Sequence, residues 1–317
     1  MHDHSSHAPH SHTHGHGDED RAIGMAFWLN FTFTIIEFVG GLMVNSVAIL
    51  SDAVHDLGDT LAIGMGWVLG KVSRKQADQR FSYGYQRLSV LAALLNALVL
   101  IAGSIFVISE AIPRLWAPEM PDATGMLALA ILGVTVNGIG AWRLLRQSSL
   151  NASVIRWHLL EDVLGWVAVL VASLVLMVWD IPILDPILSI GFTLFILFNV
   201  ARNVWASLRV FLQAVPTEVD TDALLDALQA PPAVAGVHHV HVWSLDGQQH
   251  VFSAHIKLGC EPPMEELRGL KARFSALVKE YGFAHSTIEL EWPDELCRNA
   301  EQDGQAERGS GRSGGAC

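Results

Sequence analysis

Six apolar runs follow one another through the middle of the chain, at about 22–44, 47–70, 88–112, 124–145, 150–179 and 183–208. A helix needs about 20 residues to cross ~30 Å of hydrocarbon, and each run reaches that length. One such run fits a buried helix of a soluble protein. Six in series predict an α-helical integral membrane bundle of six transmembrane helices. Composition agrees: only 16% of residues are charged, against roughly 25% in an average soluble domain.

Charge divides the chain into blocks. Residues 1–20 carry four acids and no base, 21–212 twelve of each, and 213–317 sixteen acids and eight bases. The middle block is neutral, and the net charge of −12 comes from the two ends. An acidic balance excludes a nucleic-acid partner, because phosphate contact requires a basic face. The charge steps set the expected boundaries: a disordered His-rich tail at 1–20, a membrane domain at 21–212, a folded domain at 213–293 and a disordered tail at 294–317.

Basic residues in the short loops set the orientation. The loop after run two holds Lys71, Arg74, Lys75, Arg80 and Arg87; the loop after run four holds Arg143, Arg146 and Arg156. The alternate loops are nearly free of base. Both termini are therefore expected in the cytoplasm. The first run is of full spanning length and follows no basic stretch, so no cleavable signal is expected.

The two ends differ in kind. Residues 1–20 hold His2, His4, His7, His10, His12, His14 and His16, spaced by Asp, Ser and Gly. Such a tract builds no core, but neutral imidazoles bind zinc, copper or nickel; the other origin of such a tract is an expression tag, which usually runs contiguously. Residues 216–293 read as α+β. Asp220–Ala230 is a short helix, Val237–Leu245 and Gln248–Leu258 are strands, Pro263–Tyr281 is an amphipathic helix with Met264, Leu267, Leu270, Phe274, Leu277 and Val278 near one face, and His285–Trp292 is a third strand. Asp246-Gly247 signals a two-residue hairpin. That turn pairs Leu245 with Gln248, Val242 with Val251, and His238 with His255. Directly opposed residues have Cβ atoms about 4.5–5.5 Å apart, so His238 and His255 either share a metal, with Glu291 or Glu289 adding a carboxylate, or form a solvated surface pair.

The membrane block contains only two histidines, and each has an aspartate four residues on: His55 with Asp59, and His158 with Asp162. An i,i+4 pair lies on one helical face. Two facing pairs offer two imidazole nitrogens and two carboxylate oxygens, a tetrahedral set suited to zinc. The other reading is polar contact between helices. Ionisable groups inside a bilayer are costly and usually functional, and two copies of one motif favour the metal site. Asp52 and Asp56 share the face of His55, and either extend an ion path or cap the helix. Glu37 is expected in helix contacts or cavity lining, and Glu161 on another face than Asp162. Counting inward from the outer helix ends places Asp59 roughly 18 Å deep and Asp162 roughly 25 Å deep, a mismatch of about 7 Å.

Ser51-Asp52-Ala53-Val54-His55-Asp56-Leu57-Gly58-Asp59 and Trp157-His158-Leu159-Leu160-Glu161-Asp162 resemble the cation diffusion facilitator family. So do Phe81-Ser82-Tyr83-Gly84, Asp185-Pro186, His241-Val242-Trp243-Ser244-Leu245 and Ser253-Ala254-His255. The resemblance covers about 10–295. It implies a homodimeric exporter of divalent cations from the cytoplasm in exchange for protons, with a ferredoxin-like cytosolic domain. The transport site it implies falls on His55, Asp59, His158 and Asp162, in the form carried by zinc-selective members; some of those also carry cobalt or cadmium. It also maps a cytosolic metal site onto His238 and His255, with Glu291 as third ligand. Where some members have loop histidines, this chain keeps only Asp78, so no metal is expected there, and Leu290 stands where others have a histidine. The expected protein is thus a proton-coupled Zn2+ exporter of the plasma (inner) membrane and not an enzyme, with zinc as transported substrate and possible regulatory ligand. The alternatives are broader Zn/Co/Cd selectivity and a membrane metal sensor without flux.

Overall fold

The structure, a computed structural model, describes residues 16–73, 75, 77–144 and 150–297; side chains are described for these except at 16–23, 70, 71, 73, 143, 144 and 150–158. The seven-histidine tail therefore lies outside the described residues, apart from the backbone of His16. Among the described residues two compact units form: one from the chain up to Val72 and Ala92–Val204, the other from Ser73–Leu91 and the chain from Trp205 onward.

The first unit is built on six long helices: α1 (His16–Met43), α2 (Val47–Ser73), α3 (Leu88–Trp116), α4 (Ala123–Leu144), α5 (Leu150–Val178) and α6 (Leu184–Phe211). They match the six apolar runs, with one shift. Residues 16–20, expected in the tail, open α1. Five of the helices are long and apolar enough to cross a membrane. The exception is α2, whose Asp52, His55, Asp56 and Asp59 interrupt its apolar run. Between 22% and 33% of the most apolar stretch of each of the other five is buried. Leu98, Ile105, Val171 and Phe198 are each more than half exposed. Apolar surface on that scale is unstable against water and is what a bilayer-facing helix presents.

Inside the unit the helices approach through small residues. A Cβ at Gly58 would lie 2.5 Å from Leu100, and one at Gly103 2.5 Å from Val54, so α2 and α3 interlock reciprocally. Trp166 of α5 is 1% exposed, and its indole fills the space over Gly133 of α4. The start of α2 is sunk in the bundle, with Val47, Ala48 and Ile49 fully buried. Its orphan N–H groups are met from α6, where the Asp185 carboxylate accepts from the Ser46 hydroxyl, from Val47 N at 2.8 Å and from Ala48 N at 3.3 Å.

The second unit holds α7 (Thr221–Gln229), β1 (Val234–Ser244), β2 (His250–Leu258), α8 (Met264–Glu280) and β3 (Phe283–Glu291). Asp220 caps α7 by accepting from Ala223 N. The sheet order is β1-β2-β3, with β1 antiparallel and β3 parallel to the central β2. The parallel pair needs a crossover, and α8 supplies it. Leu270, Phe274 and Val278 of α8 pack with Leu224 and Leu228 of α7 and with Phe252 and Ile256 of β2. Met264, placed on the same face by periodicity, is 65% exposed because it is the first residue of the helix.

The hairpin differs from the two-residue turn. Leu245 N donates to Gln249 O, and Val242 pairs with Phe252 rather than Val251. The Asp246 carboxylate accepts from Gln248 N and Gln249 N, which widens the loop. The register is thus one residue out at the turn. A bulge between His238 and His241 then puts it back, and His238 pairs with His255. His239 in that bulge has φ 50°, in the left-handed region.

Candidate metal centres

In the first unit, α2 and α5 bring His55, Asp59 and Asp162 together. His55 Nε2 lies 3.7 Å from Asp59 Oδ2 and 3.8 Å from Asp162 Oδ1. One donor atom from each of the three residues lies within 4.8 Å of the other two. Donors about 2.0–2.2 Å from a tetrahedral zinc stand about 3.3–3.6 Å from one another, so both His55 contacts are within a few tenths of an ångström of that spacing. The first contact is the i,i+4 pair of α2, and the second crosses to α5. His158, the fourth expected donor, lies one turn before Asp162 on α5; its side chain lies outside the described residues.

A cavity of about 270 Å³ opens on this cluster, lined by Asp52, His55, Glu161, Asp162, Phe192 and Phe195 among others. Asp162 is 9% exposed and His55 is partly exposed. Glu161, expected on another face, lines the same cavity as Asp162. Asp52 lies against α5, where a Cβ on Gly165 would lie 3.6 Å from Asp52 Oδ1. Glu37 of α1 is 1% exposed, buried inside the helical unit.

In the second unit, the bulged register sets His238 beside His255, with ring centroids 5.6 Å apart. Glu291, at the end of β3 and 2% exposed, reaches both. Its Oε1 lies 2.8 Å from His255 Nδ1 and its Oε2 lies 3.1 Å from His238 Nε2. Burial alone would raise the Glu291 carboxyl, but the His255 hydrogen bond, the His238 ring and the Cys297 contact outweigh it and hold it below the usual carboxylate range. Glu289 lies at 3.5 Å from His255 Nε2, on the other edge of the ring. The Cys297 thiol, which sequence spacing did not bring into the site, lies 3.5 Å from His255 Nδ1 and joins the donor cluster.

The loop between α2 and α3 shows what Asp78 does in place of the absent loop histidines. Its carboxylate accepts from Arg80 N, Phe81 N and the Tyr85 hydroxyl.

Residues 23–212 match the family model described as the cation efflux transmembrane domain, and residues 216–292 match that of the cation efflux protein cytoplasmic domain. Among similar curated proteins, the metal cation efflux system protein CzcD of Cupriavidus metallidurans is 33% identical over 277 residues, 86% of each chain. The zinc transporter ZitB of Escherichia coli is 33% identical over 291 residues, 90% of this chain and 92% of its own. A cadmium, cobalt and zinc/H(+)-K(+) antiporter of Bacillus velezensis is 27% identical over 286 residues, 89% of this chain and 91% of its own.

Proposed function

The chain belongs to the cation efflux family, and on that premise we propose that it exports Zn2+ from the cytoplasm in exchange for protons, through a site made by His55, Asp59, His158 and Asp162. The family is one of membrane transporters, not of enzymes. The observation that carries the reading is the meeting of His55, Asp59 and Asp162 between two helices of the apolar unit, beside a cavity. In this reading α2 crosses the bilayer despite its four ionisable groups, with both chain termini cytoplasmic in the plasma membrane.

Coupling follows from ligand chemistry. A metal needs neutral imidazole and ionised carboxylate, so metal and protons compete for one site. Imidazole is the side chain whose protonation changes near neutral pH. Zinc entering from the cytoplasm displaces protons, the helices open to the other side, and protons displace the zinc. Equal affinity of the two open states would drive nothing; proton loading of the emptied site biases the return. Imidazole and carboxylate donors also accept cobalt and cadmium, the other metals named for the Bacillus velezensis antiporter. The second unit is read as the homodimer contact, and His238, His255 and Glu291 as a regulatory zinc site.

Zinc uptake into inside-out vesicles under an imposed proton gradient tests this, with native protein compared against Asp162→Ala. Gradient-dependent uptake lost in the variant is expected. Equal uptake in both would move the transport site elsewhere, and no uptake in either would favour a sensor without flux.

A further inference from the structure

We propose that Cys297 is the fourth ligand of the cytosolic metal site, giving a closed two-histidine, one-glutamate, one-thiolate centre that holds zinc, cadmium or cobalt rather than magnesium or manganese. The inference rests on the reading of His238, His255 and Glu291 as a metal site and adds to it the donor that completes it.

Three observations carry it. The first is placement. β3 ends at Glu291, and the chain does not run on. Glu295 N donates to Trp292 O, and Trp292 N donates to the Glu295 carboxylate, making a tight turn around Pro293. Lys257 Nζ on β2 donates to Glu295 O at 3.4 Å and ties that turn to the sheet. The turn returns Cys297 to the histidines, with one donor atom from each of His238, His255, Glu291 and Cys297 within 4.8 Å of the others.

The second is spacing. Zinc–sulfur bonds of about 2.3 Å and zinc–nitrogen bonds of about 2.0–2.1 Å, set tetrahedrally, separate sulfur from nitrogen by about 3.5 Å. Cys297 Sγ and His255 Nδ1 are 3.5 Å apart. His238 Nε2 lies 3.1 Å from Glu291 Oε2 and hydrogen-bonds its Oε1 at 3.3 Å, so the same carboxylate holds both rings at the place where Cys297 arrives.

The third is the far side of the ring. With His255 Nδ1 on the metal, Nε2–H faces the Glu289 carboxylate at 3.5 Å. A carboxylate on the outer nitrogen is the usual orienting partner of a metal-ligating imidazole.

The donor set decides the metal. A thiolate with two imidazoles selects zinc and softer divalent ions over the oxygen-seeking ones. Four protein donors leave no open position, so this centre retains its ion instead of passing it on. Binding displaces the thiol proton to solvent.

The test uses full-length protein purified in detergent. Alkylation of Cys297 is followed by peptide mass spectrometry with and without zinc, so Cys260 and Cys317 do not enter the signal. At zinc about tenfold above Kd, alkylation should slow about tenfold. That protection should vanish in His255→Ala and in Glu291→Gln. Cobalt should give a sulfur-to-cobalt charge-transfer band that Cys297→Ser abolishes. Alkylation indifferent to zinc, with the same cobalt spectrum in native protein and Cys297→Ser, overturns the assignment. It falls alone if His255→Ala still lowers the zinc bound per chain, and together with the cytosolic-site reading if it does not.

Discussion

His55 of α2 and Asp162 of α5 face each other at 3.8 Å between two helices that are far apart in the chain. The contact joins two donors whose own helix-mates lie one turn away, Asp59 on α2 and His158 on α5. In the proposed site each helix brings half of a four-donor set, so that set would exist only while the two helices keep their relative height and rotation. Removing a donor should therefore act differently from moving a helix. Asp162→Asn keeps shape and loses the carboxylate charge. It should weaken zinc binding at the membrane site by at least about tenfold, the lower end for loss of even an outer partner of a metal site, with little change in melting temperature. Equilibrium zinc titration of the His238→Ala/His255→Ala background, which removes the cytosolic contribution, checks this. An unchanged membrane-site affinity would count against Asp162 as a ligand.

Helix rotation can be perturbed without touching a donor. Trp166 stands one turn beyond Asp162 on the same face of α5, and its indole occupies the space above Gly133. A Cβ there would lie 2.1 Å from the ring. Overpacking of this kind costs about 1–3 kcal/mol, and the ring has to leave its slot, turning α5. Gly133→Ala should lower both melting temperature and zinc flux, whereas Asp162→Asn should lower flux alone. Thermal unfolding in detergent beside vesicle flux separates the two; native flux in Gly133→Ala would show that α5 is positioned by other contacts.

The Asp78 loop offers a titration with a definite sign. The backbone N–H of Phe81, the Tyr85 hydroxyl and the Arg80 N–H hold the Asp78 carboxyl below its ordinary value. A depressed carboxyl contributes stability that is complete above the unfolded value of about 3.9 and is lost as pH falls through the lower folded value. The same bond raises Tyr85, because the carboxylate accepts from its hydroxyl and disfavours the tyrosinate. Asp78→Asn should let one of the three tyrosines ionise at lower pH in a spectrophotometric titration. Trypsin at pH 7 should cut faster at Arg80 and Arg87 in the variant. Unaltered tyrosine titration would mean that the Asp78–Tyr85 bond does not form in solution.

Much of this architecture is legible from periodicity and spacing. The six runs anticipate six helices, and the i,i+4 repeats anticipate which residues of α2 share a face, because both depend on local geometry. The pairing of His238 with His255 is also legible, but by two offsetting errors. The turn is wider than two residues because Asp246 binds Gln248 N and Gln249 N, and the bulge at His239 restores the register. Neither could be counted from residue types. Cys297 was invisible because its approach to His255 depends on a turn beyond β3 that Lys257 holds from another strand. Glu161 was misplaced because a cavity can be lined by neighbouring residues on either side of a helix face.

The buried start of α2 leads to the last prediction. Asp185 of α6 is what holds that start. Its carboxylate accepts from the Ser46 hydroxyl, Val47 N and Ala48 N, and Ser46 Oγ also accepts from Ile49 N. This is a helix cap supplied by another helix, buried where water cannot replace it. Hydrogen bonds to a charged group contribute about 1.5–3 kcal/mol, and leaving buried donors unmet adds to the loss. Asp185→Ala should therefore be strongly destabilising. Asp185→Asn keeps an oxygen that can accept from one or two donors and should lose less. His55 lies two turns below Val47, so a frayed start lets α2 slide relative to α5. Zinc affinity at the membrane site should fall with melting temperature in the order native, Asn, Ala. A melting curve and a zinc titration on the three proteins decide it: a full loss of stability with unchanged affinity would mean that His55 is held by the α2–α3 interlock at Gly58 and Gly103 instead of by the cap.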